Sequence, residues 1–272
     1  MTPPAPPSAS LPESTALGRQ GFASASDVYE RGRPGYPDAL LTELAAHWGL
    51  VPGCRVVDLA AGTGKLARQL QAAGGRCVAV EPSASMRAEC RTASPDVGVV
   101  GGSAEALPLA DGSCDLLTVA QAFHWFAPRV ALHEMARVLR PGGVLVLVWN
   151  ERDLSLEWTA ELSRILGRAG DTPHGPAQEM RANFDGDPHF TPFTRWHGVH
   201  RVAMEAVEVE DMVASRSYVR VLAEADRAAV LAGVRRLVAP LGRLLMPYET
   251  NAYCARARPG PCACAEEVPW SG

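Results

Sequence analysis

An aspartate, a glycine turn and a glutamate stand at a spacing that can hold a nucleoside. The stretch Val56-Val57-Asp58-Leu59-Ala60-Ala61-Gly62-Thr63-Gly64-Lys65-Leu66 reads as a buried strand, a tight turn and the start of a helix. A parallel α/β sheet forms its ligand crevice at such a junction, beyond the carboxyl end of the strand. Ala60, Gly62 and Gly64 are small enough for the backbone to approach a ligand. Glu81 ends the next strand-like run, where a carboxylate accepts from the two hydroxyls of a ribose; its other use is to cap a helix at Ser83. Asp58 suits a ligand that carries an ammonium group, or else serves as a carboxylate at a helix N-terminus. An adenosine-containing cofactor is the expectation. A nicotinamide dinucleotide also fits a glycine turn followed by an acid, although Asp58 would face its pyrophosphate unfavourably.

Two further groups belong to the same crevice. Gly102-Ser103-Ala104-Glu105 precedes a strand, and its backbone and carboxylate suit an adenine edge; Glu105 taken alone is equally a surface carboxylate. The strand that follows runs into Gln121-Ala122-Phe123-His124-Trp125-Phe126, an aromatic wall suited to a cation and a small apolar group. His124 stands where active sites collect and is the candidate general base, with packing beside Trp125 as the alternative. Trp125 and Phe126 are equally readable as core residues. Tyr29, Arg33 and Tyr36 could close over an acceptor, Arg33 pairing with a carboxylate, or could simply anchor the first helix. Ser215, Ser217 and Tyr218 are candidates from the opposite side. No metal site is expected, because His133, His174, His189, His197 and His200 lack ligand spacing and Cys262-Ala263-Cys264 lacks neighbours.

The elements that must position these residues alternate. Residues 1–20 are rich in Pro, Ser and Ala and are expected to be disordered. After the irregular Arg33-Pro34-Gly35-Tyr36-Pro37, a helix is expected from Asp38, with Leu40, Leu41, Leu44 and Trp48 at helical spacing and Gly49 as its cap. Strand 54–59 leads to helix 64–73, with Leu66, Ala67, Leu70 and Ala73 on one face. Strand 76–81 leads to a helix capped by Ser83. A short strand near 97–100, a strand from Cys114 to Gln121, a helix over 128–140 and the apolar run Val144 to Trp149 complete five strands of a doubly wound sheet. Further on, helices are expected at 155–168, 208–222 and 225–238, and strands near 194–204 and 248–256. These elements make one domain over 21–258, with an irregular tail over 259–272.

Composition bounds the remainder. With 272 residues, 47% of them apolar, the chain can bury a full core. A net charge of -4 and no Lys/Arg run argue against a nucleic-acid surface. Seven scattered cysteines read as small buried residues rather than a disulfide framework, Cys54, Cys77 and Cys114 each opening a strand. No stretch is apolar enough to span a membrane, and a cytoplasmic location is the default expectation. The oligomeric state is not legible.

These residues resemble the class I S-adenosylmethionine-dependent methyltransferases, specifically the methyltransferase type 11 group. Asp58-Leu59-Ala60-Ala61-Gly62-Thr63-Gly64 is similar to the first motif of that family, with Ala60 in place of its first glycine. Glu81 is similar to its ribose-binding acid, Ser103-Ala104-Glu105 to its adenine-contacting turn, and Arg137 to Gly143 to its lead into the fifth strand. Tyr29, Arg33-Pro34-Gly35-Tyr36-Pro37 and Gln121 to Phe126 resemble the trans-aconitate methyltransferase-like enzymes. The resemblance implies a seven-stranded, mostly parallel Rossmann-like sheet with an antiparallel last strand, an N-terminal lid and C-terminal inserts. It implies S-adenosylmethionine as cofactor, Gln121 along its methionine portion, and a small-molecule acceptor methylated on a carboxylate or hydroxyl oxygen. The alternatives are a nicotinamide-dependent oxidoreductase and a non-catalytic cofactor-binding protein. The run Arg258-Pro259-Gly260-Pro261-Cys262 departs from the family pattern at the last strand.

Overall fold

Strands β1 (Arg55–Leu59), β2 (Arg76–Val80), β3 (Gly98–Val100), β4 (Cys114–Ala120), β5 (Leu139–Arg152), β6 (Thr194–Met204) and β7 (Leu244–Arg256) form the frame of the computed structural model, which describes residues 34–167 and 180–259. They join one seven-stranded sheet in the order β3-β2-β1-β4-β5-β7-β6. β1 to β5 run parallel, and β7 is antiparallel to both β5 and β6. The strand order reverses between β1 and β4, which opens a crevice beyond their carboxyl ends.

Side chains alternate between two covered faces. Val57, Leu59, Leu117, Val119, Leu145, Leu147 and Trp149 pack on the face that holds α4 (Pro128–Val138). Val56, Leu116, Val146 and Val148 pack on the other, beneath α1 (Asp38–His47), α2 (Lys65–Ala72) and α3 (Ala84–Ala93). Burial on both faces is why Val144 to Trp149 is apolar without alternation. Cys54, Cys77 and Cys114 are buried, as small apolar side chains at strand starts should be.

A third cluster sits on an extension of the sheet. β6 and β7 stay paired from Thr194–Cys254 to Met204–Leu244, whereas β5 ends opposite Tyr248. The protruding hairpin carries α5 (Glu157–Gly167), α6 (Ala206–Ala214), α7 (Ser217–Arg220) and α8 (Glu224–Val238) around Leu162, Met212, Val234, Val238 and Met246.

Four details differ from the sequence reading. The helix expected over 208–222 is two helices, because Ser215 turns its hydroxyl onto the Met212 carbonyl at 2.7 Å and the chain bends there. Ala73 caps α2 in an exposed position instead of extending its buried face. β7 begins at Leu244 rather than near 248, because the whole of β6 is available to pair with it. β5 begins at Leu139, so Pro141-Gly142-Gly143 lies within the strand as an irregularity, Gly142 taking a φ of +75°. Residues 1–20 and 260–272 lie outside the described residues, and so do Tyr29 and Arg33. At the near end of that tail, the Arg258 backbone N–H donates to His189 and its Nε to Phe190.

Candidate functional site: the crevice at the ends of β1, β2 and β4

The turn after β1 is built by backbone conformation. Ala60 has a φ of +54°, Gly62 +58° and Gly64 +82°. Gly64 opens α2, and a Cβ there would lie 2.6 Å from Cys90 Sγ and 2.9 Å from Ser94 Oγ. That glycine is therefore what lets α2 approach α3. Ala60 occupies a left-handed conformation in which a Cβ costs about 1–2 kcal/mol. Its N–H donates to the Val80 carbonyl at 2.7 Å, which holds the turn against the end of β2.

Glu81 closes the turn from the other side. Its Oε2 accepts the Gly62 N–H at 2.9 Å and its Oε1 the Ser83 N–H at 2.8 Å. The carboxyl is buried, and burial pushes its pKa up while the two N–H donors and Arg87 pull it back toward ionisation. Ser83 itself caps α3, its hydroxyl accepting the Met86 N–H at 3.4 Å.

Asp58, near the end of β1, sits against the first turn of α2. It lies on the face covered by α2, accepts the Thr118 hydroxyl on Oδ1 at 2.7 Å and accepts the Ala67 backbone N–H. It is 1% exposed, and burial raises its pKa to about 7 against the opposing pull of those two donors. The helix N-terminus is thus already supplied with a carboxylate.

The remaining expected residues line up along the same rim. Ser103 pairs with Ala106 across a tight turn, Ala104 is buried beneath it, and Glu105 Oε1 accepts the Ala127 N–H at the entrance to α4. Gln121, directly after β4, has a φ of +58°. Its backbone N–H donates to Val148 at 2.8 Å and its Nε2 to the Asn150 carbonyl at 2.7 Å. Among the described residues, Ala60 and Gln121 are the non-glycine positions with positive φ, and they follow the two adjacent strands where the sheet order reverses. Such strain gathers where surrounding structure enforces it at functional sites.

A single turn of 3-10 helix, Phe123–Trp125, follows Gln121. Phe123 and Phe126 are buried in the core, edge to face at 5.9 Å, whereas His124 is exposed with its ring 4.8 Å from half-buried Trp125. Tyr36 is brought to the rim by Gln69, whose Oε1 accepts the Tyr36 N–H at 2.9 Å and whose Nε2 donates to the Tyr36 carbonyl at 2.7 Å. Ser215 is buried against α6 and Tyr218 half-buried beside the third cluster. No group of His, Cys, Asp or Glu able to hold a metal exists among the described residues. A cavity of about 320 Å3 lined by Arg181, Asp187, Phe193 and Arg258 lies by the Phe190–Ala257 bridge, at the opposite end of the sheet from Glu81.

Sequence reasoning passed over Thr118, Gln69, Asn150 and Thr250. Two carried a signal: Thr118 interrupts an apolar strand, and Asn150 ends the apolar run of β5.

A methyltransferase domain family matches residues 57–147. An uncharacterized methyltransferase of Mycobacterium tuberculosis is 41% identical over 244 residues, covering 87% of this chain and 94% of that one. The chain belongs to the methyltransferase family. An uncharacterized methyltransferase-like protein of Schizosaccharomyces pombe is 31% identical to this methyltransferase over 245 residues, covering 85% of this chain and 93% of that one. Its fold is shared by a solved structure from Anaeromyxobacter dehalogenans named as a type II methyltransferase, at a TM-score of 0.63 and 23% identity over 84% of this chain and 99% of that one. The seven-stranded sheet of this methyltransferase is accordingly the Rossmann-like α/β sheet expected from the sequence. No described helix is long and apolar enough to cross a membrane.

Proposed function

We propose that this methyltransferase takes S-adenosylmethionine as donor and methylates a carboxylate or hydroxyl oxygen of a small molecule in the cytoplasm. One observation carries the donor reading. Asp58 already occupies the Ala67 N–H and the Thr118 hydroxyl, so the end of α2 presents a carboxylate where a dinucleotide would need free donors for its pyrophosphate. A cationic amino acid portion fits that end; a pyrophosphate does not.

The other residues follow from that assignment. Glu81 uses one lone pair of each oxygen on Gly62 and Ser83, which leaves acceptor capacity for ribose hydroxyls. Ala60, Gly62 and Gly64 bring backbone close to the nucleoside. Ser103, Ala104 and Glu105 flank adenine, and Gln121 lies along the methionine portion with its side chain tethered to Asn150. When bound, the cofactor supplies an electrophilic methyl group on a sulfonium. The protein then has to align the acceptor and keep water out. Tyr29, Arg33, Tyr36 and Trp125 form the acceptor side, Arg33 pairing with an acceptor carboxylate as in a trans-aconitate methyltransferase-like enzyme. His124 takes the proton when the acceptor is a hydroxyl.

Calorimetry with S-adenosylmethionine, its demethylated product and NAD tests the donor. Saturable binding of the first two and none of the third is expected; the reverse pattern ends this reading. Isotope-labelled methyl donor with a panel of carboxylic acids and hydroxyl compounds, read by mass spectrometry, then identifies the acceptor class. For a hydroxyl acceptor, His124→Gln lowers kcat by roughly a hundredfold and leaves donor binding intact. An unchanged kcat removes His124 from the reaction.

A further inference from the structure

The segment Pro34–Pro37 crosses the rim of the crevice, and its two central residues, Gly35 and Tyr36, are held by side chains from different elements. On one side Gln69 of α2 makes the reciprocal pair with the Tyr36 backbone at 2.9 and 2.7 Å. Gly35 lies so near that a Cβ would be 3.2 Å from Gln69 Oε1. On the other side Asn150 of β5 donates from Nδ2 to the Gly35 carbonyl at 3.0 Å. α2 descends from the glycine turn and β5 flanks β4, so the segment bridges the two walls between which the sheet order reverses.

Asn150 does more than hold the segment. The Thr250 hydroxyl donates to Asn150 Oδ1 at 2.6 Å, which orients the amide so that Nδ2 faces Gly35. The Asn150 main-chain carbonyl accepts Gln121 Nε2 at 2.7 Å. One residue of β5 therefore joins the segment above the rim to the strained residue that ends β4. Three hydrogen bonds through one residue form a network whose members depend on one another.

We propose that Gln69 and Asn150 are positioning residues that seat the Pro34–Pro37 segment across the crevice, and that Asn150 makes this seating and the placement of the Gln121 side chain a single event. The proposal rests on the donor reading above and extends it. Neither residue touches donor or acceptor. They act on backbone in which Pro34 and Pro37 lack N–H groups, together with the Leu40 N–H, which donates to the Pro37 carbonyl at 2.9 Å, and the packing of Tyr36 on the core beside α2.

The test uses the whole chain and S-adenosylhomocysteine as probe. Asn150→Ala and Gln69→Ala are measured by calorimetry, by thermal unfolding and by hydrogen exchange over residues 34–47 with and without the probe. Wild type is expected to slow exchange in 34–47 on binding. Asn150→Ala is expected to bind about tenfold more weakly and to lose that slowing, as the loss of roughly one net hydrogen bond implies. Asn150→Ala keeps the main-chain carbonyl that accepts Gln121 Nε2, so its effect on Gln121 passes through the placement of that stretch of β5. Gln69→Ala, which leaves β5 untouched, is expected to lose the slowing with a smaller change in affinity. Thr250→Val, which frees the Asn150 amide to rotate and also takes the hydroxyl away from His200 Nδ1 at 3.3 Å, should fall between wild type and Asn150→Ala and serves if Asn150→Ala does not fold. Variants that keep both the affinity and the slowing of wild type overturn the coupling alone. A wild type that binds no S-adenosylhomocysteine overturns the donor reading and this proposal together.

Discussion

Glu81 accepts the Gly62 N–H at 2.9 Å, so the residue that ends β2 grips the turn that ends β1. The same carboxylate accepts Ser83 N–H, at the start of α3. The carboxylate proposed to take the ribose is thereby positioned by the backbone it sits beside, and the same contacts hold the turn.

Replacing Glu81 should separate these two roles. Glu81→Ala leaves two half-buried N–H donors without their acceptor, and charge-assisted bonds of this kind are worth roughly 1.5–3 kcal/mol each. S-adenosylhomocysteine binding should weaken by about a hundredfold, with a lowered Tm. Glu81→Gln retains one acceptor oxygen and should weaken binding by about tenfold with a smaller thermal change. Calorimetry and thermal unfolding on both variants check this; wild-type affinity in Glu81→Ala removes the ribose assignment.

Asp58 ties stability to pH and, on the proposed donor reading, binding as well. The unfolded chain ionises this carboxyl near ~3.9, whereas burial raises it to about 7 in the fold. The folded state therefore holds the proton more tightly. Stability from this group is full below about pH 4 and is lost as pH rises through about 7. An ammonium beside Asp58 favours the ionised form, so binding at pH 6 should expel a proton. Calorimetry of S-adenosylhomocysteine in buffers of different ionisation enthalpy should show proton release by wild type and none by Asp58→Asn. The same number of protons exchanged by both proteins leaves Asp58 as a cap for α2 only.

Ala60 carries strain that a glycine would not. Ala60→Gly should be neutral or stabilise by up to about 1 kcal/mol, the relief of positive φ set against the entropy of a glycine. Gly64→Ala should cost at least about 2 kcal/mol, since its Cβ would meet Cys90 and Ser94 and its φ is +82°. Denaturant unfolding of both variants measures the contrast. A destabilised Ala60→Gly would show that the turn is held by something other than backbone preference.

Asp115 fastens the starts of β1 and β5 far from the crevice. It accepts Arg55 Nε at 3.0 Å, the Arg55 backbone N–H at 2.8 Å and Arg140 Nε at 2.6 Å. These donors, the Arg55 guanidinium foremost, hold its carboxyl below the usual range. Its contribution is present above the unfolded pKa near ~3.9 and is lost as pH falls below it. Both arginines are about half exposed, so solvent screening limits the effect. Asp115→Asn should cost about 1–2 kcal/mol at pH 7, roughly 2–6 °C in Tm, with the cost shrinking progressively as pH falls below ~3.9 toward the lowered folded value. Unchanged donor affinity in this variant would confirm that the effect is confined to the frame.

The sequence by itself determined the parts whose cause is local. The strands 54–59 and 76–81, the glycine turn and the Ser83 cap follow from apolar runs, small residues and a hydroxyl within a few positions of one another, and stand where expected, while the apolar run 144–149 forms the centre of a longer β5. Tertiary structure decided where the side chains of those elements turn. Asp58 faces α2 because strand register sets it opposite Thr118 of β4, a pairing across sixty residues. The split of 208–222 comes from a serine hydroxyl finding a carbonyl three residues back, and the length of β7 from the partner β6 supplies. Asn150 meets Gly35 across 115 positions, a contact that no window of sequence contains. Periodicity reports which face of an element is buried; only the closed sheet sets what lies against it.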